Sequence, residues 1–169
     1  MAIKVGDKIP EATLTYVPYD SNEASDACPV PIPYDLHKEL KGKKAVIVAV
    51  PGAFTPTCSQ AHIPGFIEHA DDLKAKGVDV ILGTAANDGF VMHGWAKSLN
   101  TKDKVVLASE GGSGFYEKLG LTLDLTAKGM GVRSQRFALI VNDLTVEYVG
   151  VDPSGLDNSG AEAVLKALN

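Results

Sequence analysis

The residues able to do chemistry gather around one cysteine. Cys58 closes the segment Pro51-Gly52-Ala53-Phe54-Thr55-Pro56-Thr57-Cys58, where an apolar run ends in a tight loop and a helical pattern begins. A cysteine in the first turn of a helix meets unpaired N–H groups and the positive end of the helix dipole, both of which favour an anion. An ordinary thiol, with a pKa near 8.5, is only about 3% thiolate at pH 7, and a shift to about 6 makes it roughly 90% thiolate. Such a shift corresponds to about 3.4 kcal/mol, whereas one helix terminus supplies about 2 kcal/mol at most. A second positive group is therefore required.

Arg136 is the best candidate. It opens the apolar run Phe137-Ala138-Leu139-Ile140-Val141, so its guanidinium is expected at the start of a strand, permanently charged and able to bond a thiolate and a neighbouring oxygen together. Arg133 is the competing choice and is expected to be solvated. Thr55 offers a hydroxyl three residues from the sulfur, and Pro51, which has no N–H, would wall the sulfur on one side. His62 lies four residues after Cys58 on the same helix face, where a supporting role is expected. A Cys58–His62 hydrolase would also need an orienting group and an oxyanion site. An isolated cysteine is more often packed and inert, but a helix start after Thr-Pro-Thr is a poor place to hide one. Cys28 is the other thiol.

Several motifs are missing. His37, His69 and His93 have no ligand spacing, so no metal is expected. Gly111-Gly112-Ser113-Gly114 matches neither dinucleotide nor P-loop fingerprints and reads as a turn. No G-x-S-x-G occurs, and Cys58-Ser59-Gln60-Ala61 lacks the second thiol of a C-x-x-C.

The elements that must position these groups follow from periodicity. Val5 to Val17 carries alternating Ala12, Leu14 and Tyr16 and reads as a strand or edge hairpin. Residues 18 to 35, with Pro18, Pro29, Pro31 and Pro33, read as a long surface loop holding Cys28. Ala45 to Val50 is a strand buried on both faces. A helix is expected from Thr57 to Lys76, kinked at Pro64 and closed by Gly77. Strands follow at Val78 to Leu82 and Val105 to Ala108, with a helix from Asn87 to Leu99 between them and a short helix over Gly114 to Leu119. Phe137 to Val141 and Thr145 to Val151 form a hairpin, and Ser159 to Leu168 a helix with Ser159 and Glu162 as a capping box. This order predicts an α/β domain over residues 1–169: a central mixed sheet flanked by helices, with an N-terminal β extension and a terminal helix. Ligand chemistry is expected outside the carboxyl ends of its strands, where the turn from Val50 to Cys58 lies.

Composition narrows the function. The chain has 169 residues, 16 Lys and Arg against 21 Asp and Glu, and a formal charge of −5. No basic cluster supplies the cationic field that nucleic acid requires. No run approaches the roughly 20 apolar residues of a membrane helix. The N-terminus lacks a signal-peptide core, so a cytoplasmic location is the default, with an organelle open if a transit peptide was removed. Two cysteines in a reducing compartment point to chemistry rather than a staple.

Pro51 to Phe66, reading PGAFTPTCSQAHIPGF, resembles the signature of the type II, or peroxiredoxin-5-like, branch of the peroxiredoxins. The resemblance continues through Lys76-Gly77-Val78-Asp79, Asn87 to Met92, Trp95 and Gly131 to Leu139, and so spans nearly the whole chain. It implies a thioredoxin-like fold and reduction of hydrogen peroxide and small alkyl hydroperoxides through a cysteine sulfenic acid. It identifies Cys58 with the peroxidatic cysteine, Thr55 and Arg136 with the groups that hold the peroxide, and Pro51 with the shielding proline. It also implies a homodimer, no bound cofactor, and an external thiol reductant: thioredoxin, glutaredoxin or glutathione.

Two departures bear on the second half of that cycle. Animal members place a resolving cysteine where this chain has Asn158, and plant members often place one where it has Gly83. Cys28 is similar in placement to a fungal branch whose loop cysteine closes a disulfide with the peroxidatic cysteine, usually of the partner subunit. The alternatives are a one-cysteine cycle, in which glutathione or glutaredoxin attacks the sulfenic acid directly, and a peroxide sensor that uses Cys58 to pass oxidation to a partner.

Overall fold

A computed structural model describes residues 1–169. In chain order the strands are β1 (Thr13–Tyr16), β2 (Ile32–Asp35), β3 (Lys44–Ala49), β4 (Val80–Ala85), β5 (Val106–Ser109), β6 (Thr122–Leu125), β7 (Gly131–Ser134), β8 (Arg136–Asn142) and β9 (Thr145–Asp152). The helices are α1 (Leu36–Leu40), α2 (Ile63–Glu68), α3 (Ala70–Ala75), α4 (Gly89–Leu99), α5 (Phe115–Leu119) and α6 (Ala161–Ala167). Seven strands form one mixed sheet in the order β2-β1-β5-β4-β3-β8-β9, and β6 and β7 pair separately. β3, β4 and β5 run parallel, and the flanking pairs are antiparallel. This is the mixed sheet flanked by helices that the element order predicts, and the thioredoxin-like fold that the resemblance implies.

The apolar run of β3 divides between two cores because successive side chains of a strand point to opposite faces. Ala45, Ile47 and Ala49 join Phe137, Leu139, Phe115 and Tyr116 on one side. Val46 and Val48 join Ile140, Phe66, Trp95 and Cys58 on the other. The second core carries the chemistry. β8 and β9 close through Asp143 and Leu144, both at positive φ, 46° and 71°. The strain at Leu144 is offset by burying its side chain in the first core.

Several elements depart from expectation. Residues 18 to 35 are not loop throughout, because Ile32–Asp35 pairs with β1 as the outermost strand. Pro33 is tolerated there because an edge strand leaves one side of its backbone unpaired. α1, capped by the Asp35 carboxylate accepting from Lys38 N, and the β6–β7 hairpin are too short to announce themselves by periodicity. The long helix from Thr57 is interrupted twice. A π turn occupies Cys58–His62, where Ile63 N donates to Cys58 O, and a break at His69 separates α2 from α3. Pro64 has no N–H for the carbonyl of Gln60; it falls in the first turn of α2, and the ladder slips by one residue just ahead of it. Ser159 does not cap α6: Gly160 occupies the N-cap, and the Ser159 hydroxyl donates to Asp152 Oδ2 at 2.7 Å.

Candidate active site

β3 delivers the chain into a loop that is fixed from several sides. Ser134 Oγ donates to Val50 O at 3.1 Å, and Ala53 N donates to Asn87 Oδ1 at 2.8 Å. Arg133 Nη1 donates to Pro51 O at 3.0 Å and to Asn87 Oδ1 at 3.3 Å, while Arg133 Nε donates to Met130 O at 2.8 Å. Arg133 is thus not the solvated residue expected from sequence but a brace beneath the loop. Gly52 makes room for it, since a Cβ there would lie 3.0 Å from Arg133 Nη1. Phe54 stands at φ 62°, with its ring 6.4 Å from Trp95. The Trp95 indole donates to Ser59 Oγ at 2.8 Å, tying the residue after Cys58 to α4.

The Cys58 side chain is fully buried, and its sulfur accepts from Arg136 Nη2 at 3.3 Å. The other arm of the guanidinium, Nη1, donates to His62 Nδ1 at 2.9 Å. Because a guanidinium has only donors, Nδ1 must be the acceptor and the imidazole proton must sit on Nε2. That nitrogen donates to Ser159 O at 2.8 Å. Burial pushes His62 down to about 4; the bond to Ser159 opposes this, and the positive charge of Arg136 adds to it. His62 is therefore a neutral acceptor at neutral pH. Its Nδ1 serves Arg136 rather than the thiol, so the Cys–His hydrolase geometry is not present.

Thr55 is held by its own loop. Its hydroxyl donates to Gly52 O at 2.9 Å and makes no hydrogen bond to the sulfur, which also receives no backbone N–H. Beside Arg136 a cavity of about 420 Å³ opens, lined by Pro51, Thr57, Arg136 and Asp152 among others. It borders the guanidinium that bonds the buried sulfur.

Cys28 sits apart, exposed on its loop, and both cysteines are free thiols. The loop is held to α4 by Glu23. His93 Nε2 donates to its carboxylate at 2.8 Å, and Lys97 Nζ lies 3.2 Å from it. Burial raises the Glu23 carboxyl, but the bonds from His93 and Lys97 outweigh this and hold it below its ordinary value. Lys97 Nζ also reaches Ser25 O at 3.0 Å and Ala27 O at 3.4 Å, on the approach to Cys28.

Residues 4–165 match the Redoxin family model. The chain belongs to the peroxiredoxins. It is 45% identical to a peroxiredoxin-named protein of Malassezia furfur over 98% of this chain and 100% of that one. It is 44% identical to Peroxiredoxin-2B of Arabidopsis thaliana over 98% of each. A solved structure of reduced Prx3 in complex with hydrogen peroxide, from Vibrio vulnificus, superposes with a TM-score of 0.87 at 39% identity and covers 99% of both chains. Peroxiredoxins are thiol peroxidases that act on peroxides and draw on thiol reductants, and this chain is an enzyme of that kind.

Hydrogen bonds bring Cys58, Arg136 and His62 together, and Pro51 shares a cavity wall with Arg136, while Thr55 is turned to Gly52 and Cys28 lies exposed on its own loop. Sequence reasoning missed Arg133, Asn87 and Asp152 as braces. Arg133 carried one usable signal. It stands three residues before Arg136, with Gly131 and Ser134 around it, and lies in β7 just ahead of the strand that Arg136 opens.

Proposed function

We propose that Cys58 is the peroxide-reducing cysteine and that Arg136 holds its thiolate and the incoming peroxide together. The Cys58 sulfur attacks one oxygen of the hydroperoxide. The O–O bond breaks, and its electron pair leaves with the second oxygen, which takes up a proton and departs as water or an alcohol. Cys58 is left as sulfenic acid, the reversible first rung of thiol oxidation. Arg136 meets the charge that grows on the departing oxygen with a donor already in place, the kind of preorganised stabilisation that lowers barriers most. With its own proton committed to Gly52 O, the Thr55 hydroxyl has lone pairs free to accept from the peroxide O–H. Pro51, at the rim of the cavity and without an N–H, shields the sulfur, and His62 fixes the angle of the guanidinium. The observation that carries this reading is the 3.3 Å contact from Arg136 Nη2 to a fully buried cysteine sulfur. The peroxide seated in the Vibrio vulnificus relative supports hydrogen peroxide as a substrate.

For the second half-reaction we assign Cys28 as the resolving thiol. Its thiolate attacks the Cys58 sulfenic sulfur of the partner subunit, the S–O bond breaks, hydroxide takes up a proton and leaves as water, and a disulfide forms that thioredoxin or glutaredoxin reduces; direct attack by glutathione or glutaredoxin is the competing route. The exposure of Cys28 supports a thiol that must travel to its target. The exposed rings of Phe54 and Phe90, each 56% accessible, support association into a homodimer. No helix is long and apolar enough to cross a membrane.

A non-reducing gel after one equivalent of hydrogen peroxide tests both assignments. A linked dimer that disappears in both Cys58→Ser and Cys28→Ser is expected. A monomeric wild type, with undiminished thioredoxin-dependent turnover in Cys28→Ser, overturns the resolving role. Undiminished peroxide consumption in Cys58→Ser overturns the catalytic one.

A further inference from the structure

Asp152 is the last residue of β9 and stands directly across the ladder from Arg136, the first residue of β8. A carboxylate opposite an arginine on neighbouring strands is placed to form an ion pair. Here it forms none. Asp152 is 4% exposed and spends its oxygens on the turn before α6. Oδ1 accepts from Asn158 N at 3.1 Å and from Asn158 Nδ2 at 2.9 Å; Oδ2 accepts from Asn158 N at 3.0 Å, from Ser159 N at 2.7 Å and from Ser159 Oγ at 2.7 Å. Burial raises the Asp152 carboxyl, but the Ser159 hydroxyl and the amides of Asn158 and Ser159 outweigh it and hold the group below its ordinary value. It stays charged at neutral pH.

The turn so clamped is the one that supplies Ser159 O to His62. Its far side is pinned as well. Tyr148 Oη donates to Asn158 O at 2.6 Å, and β9 passes so close that a Cβ at Gly150 would lie 2.0 Å from that same carbonyl oxygen. The result is one continuous path: Asp152 carboxylate to Ser159, Ser159 O to His62 Nε2, His62 Nδ1 to Arg136 Nη1, Arg136 Nη2 to Cys58 Sγ.

We propose that Asp152 is a positioning residue for peroxide reduction: by clamping the Asn158–Ser159 turn it fixes His62, and through His62 it sets the angle at which Arg136 meets the Cys58 sulfur. This rests on the reading of Cys58 and Arg136 given above. The proposal also explains why the carboxylate is turned away from Arg136. An ion pair would draw the guanidinium off the sulfur, whereas four donors on the turn, making five hydrogen bonds, hold the carboxylate elsewhere.

The sign of the effect separates this role from a plain charge effect. As a nearby negative charge, Asp152 would oppose the thiolate, and Asp152→Asn would speed oxidation. As a clamp, its loss slows it. The test is the rate of Cys58 oxidation by hydrogen peroxide in single turnover at pH 7.4, followed by the fluorescence of Trp95, the chain's one tryptophan. Asp152→Asn is expected to slow it about tenfold, the scale of one misaligned charge-assisted hydrogen bond. His62→Gln alone should slow it by at least as much. Asp152→Asn added to His62→Gln should cost less than a further twofold, because both act through one path. Leu40→Ala, in the opposite core, should lower thermal stability without changing the rate, which separates clamping from general loosening. Should Asp152→Asn fail to fold, Ser159→Ala removes the hydroxyl bond yet keeps the carbonyl, and about a threefold loss, absent in the His62→Gln background, is expected. Unchanged or faster oxidation in Asp152→Asn (or unchanged in Ser159→Ala if that variant is used), or multiplying losses in the double variant, overturns the proposal. Arg136→Lys keeps the two failures distinct: if it too oxidises at the parent rate, the assignment of Arg136 falls and not merely that of Asp152.

Discussion

Cys58 and Cys28 carry the same atom in opposite surroundings. The Cys58 sulfur lies in a core with Phe66 and Trp95, is bonded to a guanidinium, and is supported by a path that passes through His62 and a backbone carbonyl to a buried carboxylate. Cys28 is exposed, and its loop is fastened to α4 through the Glu23 carboxylate and the Lys97 ammonium. The contrast fits what each proposed step needs. A thiolate that meets a small peroxide at a fixed angle gains from donors that do not move as charge develops. A thiol that reaches a second sulfur gains from a segment that can leave its seat.

The largest expected effect breaks the comparison outright if it fails. Cys58→Ser should lower peroxide turnover by about a thousandfold or more, since the nucleophile itself is gone, whereas Cys28→Ser should leave the single-turnover oxidation of Cys58 within twofold of the parent. A slowed first step in Cys28→Ser would mean that the two regions are not separate. Arg136→Met removes the donor to the sulfur but keeps the stem, and stopped-flow oxidation should fall about a hundredfold.

Acid sharpens the contrast. His62 is neutral and buried with its pKa at about 4, so from pH 6.5 down to about 4 the unfolded chain takes up a proton that the folded chain refuses. Stability should fall over that window by up to about 3 kcal/mol, as read from urea midpoints, and this contribution should level off below it. Asp152, held low, adds a further loss as the pH falls below the ordinary carboxylate range. His62→Gln should flatten the upper part of the curve; an unchanged slope there would mean that another group carries it.

The smallest effect concerns the loop. Glu23→Gln weakens the fastening to His93 and Lys97, so alkylation of Cys28 should quicken about two- to fivefold while Cys58 oxidation is untouched. Added salt should act on the parent in the same direction but weakly, because the Glu23 and His93 side chains are only 13% exposed and a partly buried pair is screened less. If neither moves Cys28, the loop is held by something other than these charges.

Much of this was legible from the chain alone. Ala45 to Val50 declared a strand buried on both faces, and PGAFTPTC placed Cys58 at the start of a helix behind it. Arg136, opening an apolar run, was expected at a strand start and is found there. The edge strand Ile32–Asp35 was hidden by Pro33, whose propensity says loop while its edge position permits a strand. Ser159 and Glu162 spelled a capping box, yet the Ser159 hydroxyl turned to Asp152, because a buried carboxylate must find donors within the protein whereas a helix-end N–H can be met by water.

What the sequence determined by itself is local. It set where strands and helices alternate, which cysteine follows a strand into a helix, and which arginine begins a buried run, because periodicity and turn chemistry act over a few residues. Which donors meet which acceptors across the fold was decided by the tertiary structure alone. Arg133 reaches Pro51, His62 joins Arg136 to Ser159, and Asp152 faces Arg136 yet bonds a turn elsewhere. Those partners lie far apart in the chain or compete at close range. The choice among them depends on burial, on register between β8 and β9, and on the need to satisfy every polar group that water cannot reach.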